Sequence, residues 1–253
     1  MVTRNVSRLM TLFKKILARF FQPEFIFAVM ALAAGTALVF VNGPFQAPDE
    51  PNHFFRAYQI SEGRFFSERI NNKAGDRLPA SLPDAVYPFQ NSPAHRSIKV
   101  ERESLASALQ APLKEQEKMF VSFPNTAINF PLCYAPQAAG IYAARICGLS
   151  PLEMMYAGRL LSLWVWVLFM CAAIRLTPVF KWVMVLVGIL PMHLYLAASL
   201  SADTMINGCA VLFVALVLRE RFNPKSPLTP GKQGGIALLA APLCVMKLVY
   251  APF

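Results

Sequence analysis

Four side chains able to do chemistry crowd one short stretch, Ala-Pro-Asp-Glu-Pro-Asn-His-Phe-Phe-Arg-Ala-Tyr at 47–58, as Asp49, Glu50, His53 and Arg56. A carboxylate here has the chemistry of a general base toward a hydroxyl. An arginine has the fork of donors that holds phosphate or sugar oxygens. Asp49 and Glu50 together also offer the oxygen ligands that Mg²⁺ or Mn²⁺ prefer, although one acidic pair does not define a metal site. On a helix His53 follows Asp49 by four residues and Arg56 follows His53 by three, which puts them on one face. The plainer account of Pro-Asp-Glu-Pro is a helix start, with Asp49 as N-cap, proline in the first turn and acids favoured by the helix dipole.

The elements that must position these residues are membrane spans. The chain has 253 residues, 56% hydrophobic and 15% charged, against roughly 25% charged in soluble domains. Uncharged runs cover 25–41, 160–174, 182–200, 204–218 and 233–246. A spanning helix takes about 20 mostly apolar residues, so the shorter runs need polar flanks such as Arg159 or Asp203. None alternates as a barrel strand would. The pattern predicts an all-α polytopic membrane protein with about five transmembrane helices, near 23–42, 156–174, 181–200, 203–218 and 234–250. A large loop at 43–155, carrying juxtamembrane helices, separates the first from the rest.

Charge placement gives the orientation. The net charge of +10 suggests nucleic acid until it is mapped. Residues 1–24 carry Arg4, Arg8, Lys14, Lys15 and Arg19 against Glu24 alone, and the connections near 175–181 and 219–232 are basic. Residues 43–155 hold 11 basic and 11 acidic side chains and are neutral. Short basic loops favour the cytoplasm, so no nucleic-acid partner is expected. The N-terminus should be cytoplasmic, the 43–155 loop periplasmic or extracellular, and the protein multi-pass in the inner (plasma) membrane. This assignment holds only if 131–147 does not span, and Pro131, Pro136, Gly140 and its shortness agree. Residues 3–21 read either as a basic amphipathic helix on the lipid surface or as a plain anchor for the first span. The 67–130 region is proline-rich and expected to be ordered loop, with one polar helix at 104–119. The five cysteines lie in apolar segments without the close pairing of a metal or redox motif, and no disulfide is inferred.

Distant segments add polar groups at the same outer level: Arg159 just inside one span, Asp203 at an outer turn, Lys247 and Tyr250 at the end of the last. Ionisable residues in spans usually mark a pathway or site. For Arg159 and Lys247 the alternative is snorkelling to the headgroups. His193, mid-span after Pro191, reads as a helix-packing residue. Together with Asp49, Glu50 and Asp203 they define a shared outward cavity, suited to transfer from a lipid phosphate carrier.

The stretch Pro-Asp-Glu-Pro-Asn-His-Phe-Phe-Arg-Ala-Tyr also resembles the signature of bacterial membrane proteins grouped as domain of unknown function 2142. The resemblance continues in order at Phe130-Pro-Leu-Cys-Tyr-Ala-Pro-Gln, Ala157-Gly-Arg-Leu-Leu-Ser, Leu190-Pro-Met, Ala198-Ser-Leu-Ser-Ala-Asp203 and Lys247-Leu-Val-Tyr-Ala-Pro. That family in turn looks like a relative of the C-type glycosyltransferases, which use polyprenyl-phosphate-linked sugars. The resemblance implies an enzyme acting on a cell-surface glycan or other acceptor. Asp49 would be its base and Glu50 a second carboxylate, with His53, Arg56, Tyr134, Arg159, Asp203, Lys247 and Tyr250 at the substrate. Members run longer, with more spans after Lys-x-x-Tyr, so these residues are expected to be an N-terminal part. The rival readings are a transporter of a lipid-linked intermediate and a non-catalytic subunit of a glycan-assembly system.

Overall fold

The computed structural model describes residues 21–89, 100–222 and 229–246. Among them three helices are long and apolar enough to cross a membrane: α1, Pro23–Val41; α7, Pro151–Leu176; and α10, Ala202–Arg221. Between α1 and α7 lie helices α2 (Glu50–Ser61), α3 (Ser81–Val86), α4 (Arg102–Gln110), α5 (Pro124–Ala127) and α6 (Ala135–Ile146), with strands β1 (Glu68–Ile70), β2 (Lys73–Pro79) and β3 (Lys118–Ser122). After α7 come α8 (Lys181–Gly188), α9 (Pro191–Ala197), α10 and α11 (Pro230–Met246). The expected amphipathic segment 3–21 lies almost wholly outside the described residues.

The 26-residue α7 is the axis of the bundle, with α1, α6 and α10 packed on it. Its start is well determined by sequence. Ser150 caps it, accepting from the Glu153 N–H, and the Glu153 side chain returns a bond to Ser150 N, with Pro151 in the first turn. This capping box satisfies two of the orphan donors of a helix start. Glycines let neighbours approach closely. A Cβ at Gly140 of α6 would lie 2.5 Å from the Ala157 carbonyl oxygen of α7. Within the bundle Phe27, Leu163, Trp166, Met170, Ile174, Val185 and Leu194 form one apolar cluster. A second joins the 43–155 region to the bundle end, through Phe45, Phe54, Tyr58, Leu78, Phe123, Tyr134, Ile141, Met154 and Met205.

Two expectations are corrected. The single helix at 181–200 is two, α8 and α9, broken at Ile189-Leu190. Pro191 has no N–H and pushes Leu190 to extended backbone (φ −54°, ψ 137°), as residues before proline prefer. His193, half-buried, places its Nδ1 2.7 Å from the Val187 carbonyl at this break. The 104–119 helix stops at Gln110, and Lys118 onward is strand. The supposed loop region holds an antiparallel three-stranded sheet, ordered β1-β2-β3. Its first hairpin turns on Asn71-Asn72, both with positive φ (48° and 65°), the geometry that short hairpins need and that asparagine tolerates. None of the five cysteines forms a disulfide, and Cys147 is exposed.

Candidate functional site: a polar cleft where the spans end

α2 starts eight residues after α1 stops, and Asp49 is its first flanking residue. Asp49 adopts left-handed backbone (φ 56°, ψ 12°) and its side chain makes no capping bond. A non-glycine residue with positive φ is uncommon and costs backbone strain. The plain helix-cap role is therefore not what its carboxylate does. Instead it is exposed and lines a cleft of about 230 Å³ with His53, Asn125, Thr126, Asn129, Ala202, Asp203, Ile206 and Met246. Three of the sequence-derived residues, Asp49, His53 and Asp203, thus meet from two distant segments.

His53 is held by a short relay. Asn129 Nδ2 donates to the Tyr134 hydroxyl (2.9 Å), and that hydroxyl lies 2.8 Å from His53 Nδ1. Tyr134 is fully buried, so its O–H needs an acceptor. With Asn129 already donating to its oxygen, Nδ1 is the acceptor that completes the chain, which places the neutral-ring proton on Nε2. Burial lowers the His53 pKa, against the opposing pull of Asp49, Asp203 and Glu50. Burial likewise raises that of Tyr134 well above its ordinary value. Both groups are therefore neutral near pH 7. Asp203 sits in the first turn of α10, and its N–H bonds the Ser201 hydroxyl.

Glu50, the next residue, faces the other way and is fully buried. Its Oε1 accepts from Arg159 Nε (2.8 Å) and the Leu200 N–H (2.9 Å). Its Oε2 accepts from Arg159 (2.6 Å) and, more weakly, from the Ala47 N–H (3.4 Å). Arg159 uses its remaining donors on the carbonyls of Val39, Asn42 and Gly43, at 2.9–3.0 Å. All five guanidinium N–H groups are then taken. Glu50 and Arg159 spend their polar atoms on each other and on backbone at the end of α1. Arg56 is also buried, bonded to Gln59, Ser67 and the carbonyls of Phe65 and Asn129. Lys247 and Tyr250 lie outside the described residues. Among the described residues no group of three His, Cys, Asp or Glu is placed to hold a metal ion.

Sequence reasoning missed Asn125, Thr126 and Asn129. Their signal was an Asn-Thr-x-x-Asn run one turn ahead of the Pro131 segment. Asn125 accepts from Asn52 (2.7 Å) and Thr126 donates to the Asn52 carbonyl (3.0 Å), which clamps this run to α2. Gln137 was also missed. It is fully buried and donates to the Ser201 carbonyl (2.7 Å), tying α6 to the start of α10.

Fold and site together define a helical membrane protein whose ionisable residues gather where its long apolar helices end. The chain belongs to the family described as Predicted membrane protein (DUF2142), whose model matches residues 32–252. No curated protein and no solved structure matches it.

Proposed function

We propose that this protein transfers a sugar from a polyprenyl-phosphate carrier to an acceptor hydroxyl at the cleft, with Asp49 as general base. The observation that carries the reading is the Asp49 carboxylate. It is held on strained backbone, free of capping duty, and faces a polar cleft at the end of the long apolar helices. Strain of this kind persists where the surroundings over-determine it, and it clusters at functional sites.

In the proposed step Asp49 takes the proton of the acceptor hydroxyl as that oxygen attacks the anomeric carbon. The bond from that carbon to the carrier phosphate breaks on the opposite face, and polyprenyl phosphate leaves with the electron pair. The outcome is inversion. His53, with Nδ1 occupied by Tyr134, offers Nε2–H to sugar or acceptor oxygens, and Asp203 orients a hydroxyl from the far wall. The donors of Arg159 and most of those of Arg56 are used inside the protein. The proposal therefore gives the phosphate to Lys247, the residue after the cleft-lining Met246. The reading includes five spans in an inner membrane, with the N-terminus cytoplasmic and the cleft on the outer side, as short basic connections favour.

The test is Asp49→Asn in the full-length protein. Asparagine tolerates the left-handed backbone, so membrane abundance should stay at the wild-type level while surface-glycan transfer is lost. Retained transfer sinks the assignment. Normal glycan with both Asp49 and Glu50 carboxylates removed, but loss on gene deletion, would instead identify a non-catalytic subunit.

A further inference from the structure

Beside the cleft lies a larger groove, about 800 Å³, lined mainly by apolar side chains of two loops, with Arg56 and Ile60 of α2 and Ala74 of β2 behind them. Its rim carries Phe65, Phe66, Ile128, Phe130 and Leu132. Phe66 is 89% exposed and Ile128 84% exposed. An exposed apolar cluster of this size marks a binding surface.

The level of this rim follows from hydrogen bonds. Arg159 joins the carbonyls of Val39 and Asn42 at the end of α1, and Glu50 joins the Leu200 N–H just before α10. The end of α1 and the start of α10 therefore lie at one level, that of Arg159, about two turns inside the start of α7. Gln137 in the first turn of α6 bonds the Ser201 carbonyl, at the same level. The Pro131–Tyr134 turn runs directly into α6 and packs on α10. Arg56 then ties the Phe65 carbonyl to the Asn129 carbonyl, both within about 3.1 Å of one guanidinium nitrogen. Both rim loops are thereby tied to the level where α1 ends and α10 begins.

We propose that Phe65-Phe66 and the Ile128–Leu132 loop (residues 128–132) are a second, non-spanning membrane contact, in which these side chains sit among the acyl chains of bilayer lipids. The contact holds the 43–155 region down on the lipid surface beside the cleft. Apolar and aromatic side chains at the headgroup boundary bind lipid by the same area-dependent transfer that anchors interfacial helices. Moving one phenylalanine side chain from water to such a phase favours it by at least about tenfold. The inference rests on the position of the rim and not on the sugar-transfer reading.

The protein is reconstituted into phosphatidylcholine nanodiscs containing a lipid with a diazirine in its acyl chain. It is irradiated, digested and mapped by mass spectrometry. The reference is the peptide containing Met119, exposed but tied through neighbouring Lys118 and Glu62 to Arg145 at the far end of α6. Adducts at 65–66 and 128–132 should exceed those at Met119 by about tenfold, and approach those on the lipid-facing Trp164 side of α7. In Phe66→Glu and Ile128→Glu variants the rim adducts should fall to the Met119 level while the α7 adducts persist. Labelling of the rim by a water-soluble diazirine and not by the lipid overturns the proposal. Cross-linking of the rim to a second protein chain in place of lipid overturns it as well. Loss of glycan transfer in Asp49→Asn with lipid labelling unchanged separates this contact from the catalytic reading.

Discussion

Glu50 and Arg159 form a buried ion pair in which every guanidinium donor and both carboxylate oxygens are satisfied by the protein. Removing one member of such a pair leaves an uncompensated charge, at about 3–5 kcal/mol. Glu50→Gln should cost about that much, since Arg159 would keep only neutral acceptors around it and no countercharge. Arg159→Met should cost more. It strands the carboxylate and also removes the donor of the fully buried Val39 carbonyl, a further loss of about 1–3 kcal/mol. The carbonyls of Asn42 and Gly43 are half-exposed and can be rehydrated. The double variant Glu50→Gln/Arg159→Met removes both charges. It should fall short of the summed singles by about 2 kcal/mol, the coupling expected of direct partners. Unfolding free energies from reversible denaturation in detergent micelles, followed by tryptophan fluorescence, close the cycle. A neutral Glu50→Gln, or a coupling indistinguishable from zero, refutes the view that this pair fastens α2 to the bundle. A Glu50→Gln protein of full stability that has lost transfer would give Glu50 a chemical role instead.

Two further outcomes follow from the same geometry. Because burial lowers the His53 pKa, the unfolded state binds a proton below about pH 6.5 that the folded state refuses. Stability is then complete above that pH and falls as pH drops through it toward the folded pKa, by at most about 1.4 kcal/mol per pH unit. His53→Gln should flatten the melting temperature between pH 7 and 5, and an unchanged slope counts against His53 as the titrating group. Gly140→Ala should lower stability by about 1–3 kcal/mol, since the added methyl meets the Ala157 backbone rather than a movable side chain. Gly35→Ala, which meets only the tip of Leu163, should cost less in the same melt.

What the sequence disclosed was decided by composition and charge. The uncharged runs marked α1, α7 and α10, because a bilayer tolerates little else over that length. The brevity and prolines of 131–147 marked α6 as too short to span. Asp49, His53 and Asp203 were legible because ionisable residues at span ends are few. What stayed hidden depended on pairing. The Asn71-Asn72 turn is a hairpin signal only when strands flank it, and β1 has three residues. Arg159 carried the same signal whether it faced a substrate or Glu50, since spacing along the chain cannot show which acceptors surround a guanidinium. The break at Leu190-Pro191 was visible as a proline. Proline within an apolar run is also found in unbroken kinked helices, and the choice was made by tertiary packing.

The adjacency of Asp49 and Glu50 explains how this site can be both anchored and available. Consecutive residues at a helix start ordinarily compete for the same orphan N–H groups, and a carboxylate so engaged is a poor base. Here the left-handed turn at Asp49 separates them. Glu50 enters the protein and, through Arg159 of α7 and the Leu200 N–H, meets the end of α1 and the start of α10. Asp49 is left outside, on the cleft, next in sequence to the residue that Arg159 and the Leu200 N–H fasten to the bundle. A base must stay within hydrogen-bond reach of the proton it takes, and a loop carboxylate alone would lose that precision to motion. Glu50 thus supplies the fixed point that the proposed base role of Asp49 needs, while its own oxygens stay committed to Arg159 and backbone N–H groups. The strain at Asp49 is then the cost of facing the cleft, sustained by the ion pair that fastens α2 to the bundle. Asp49→Gly should then relieve the strain and raise the melting temperature while removing the carboxylate. A drop in melting temperature would mean that the left-handed turn is held by the Asp49 side chain itself.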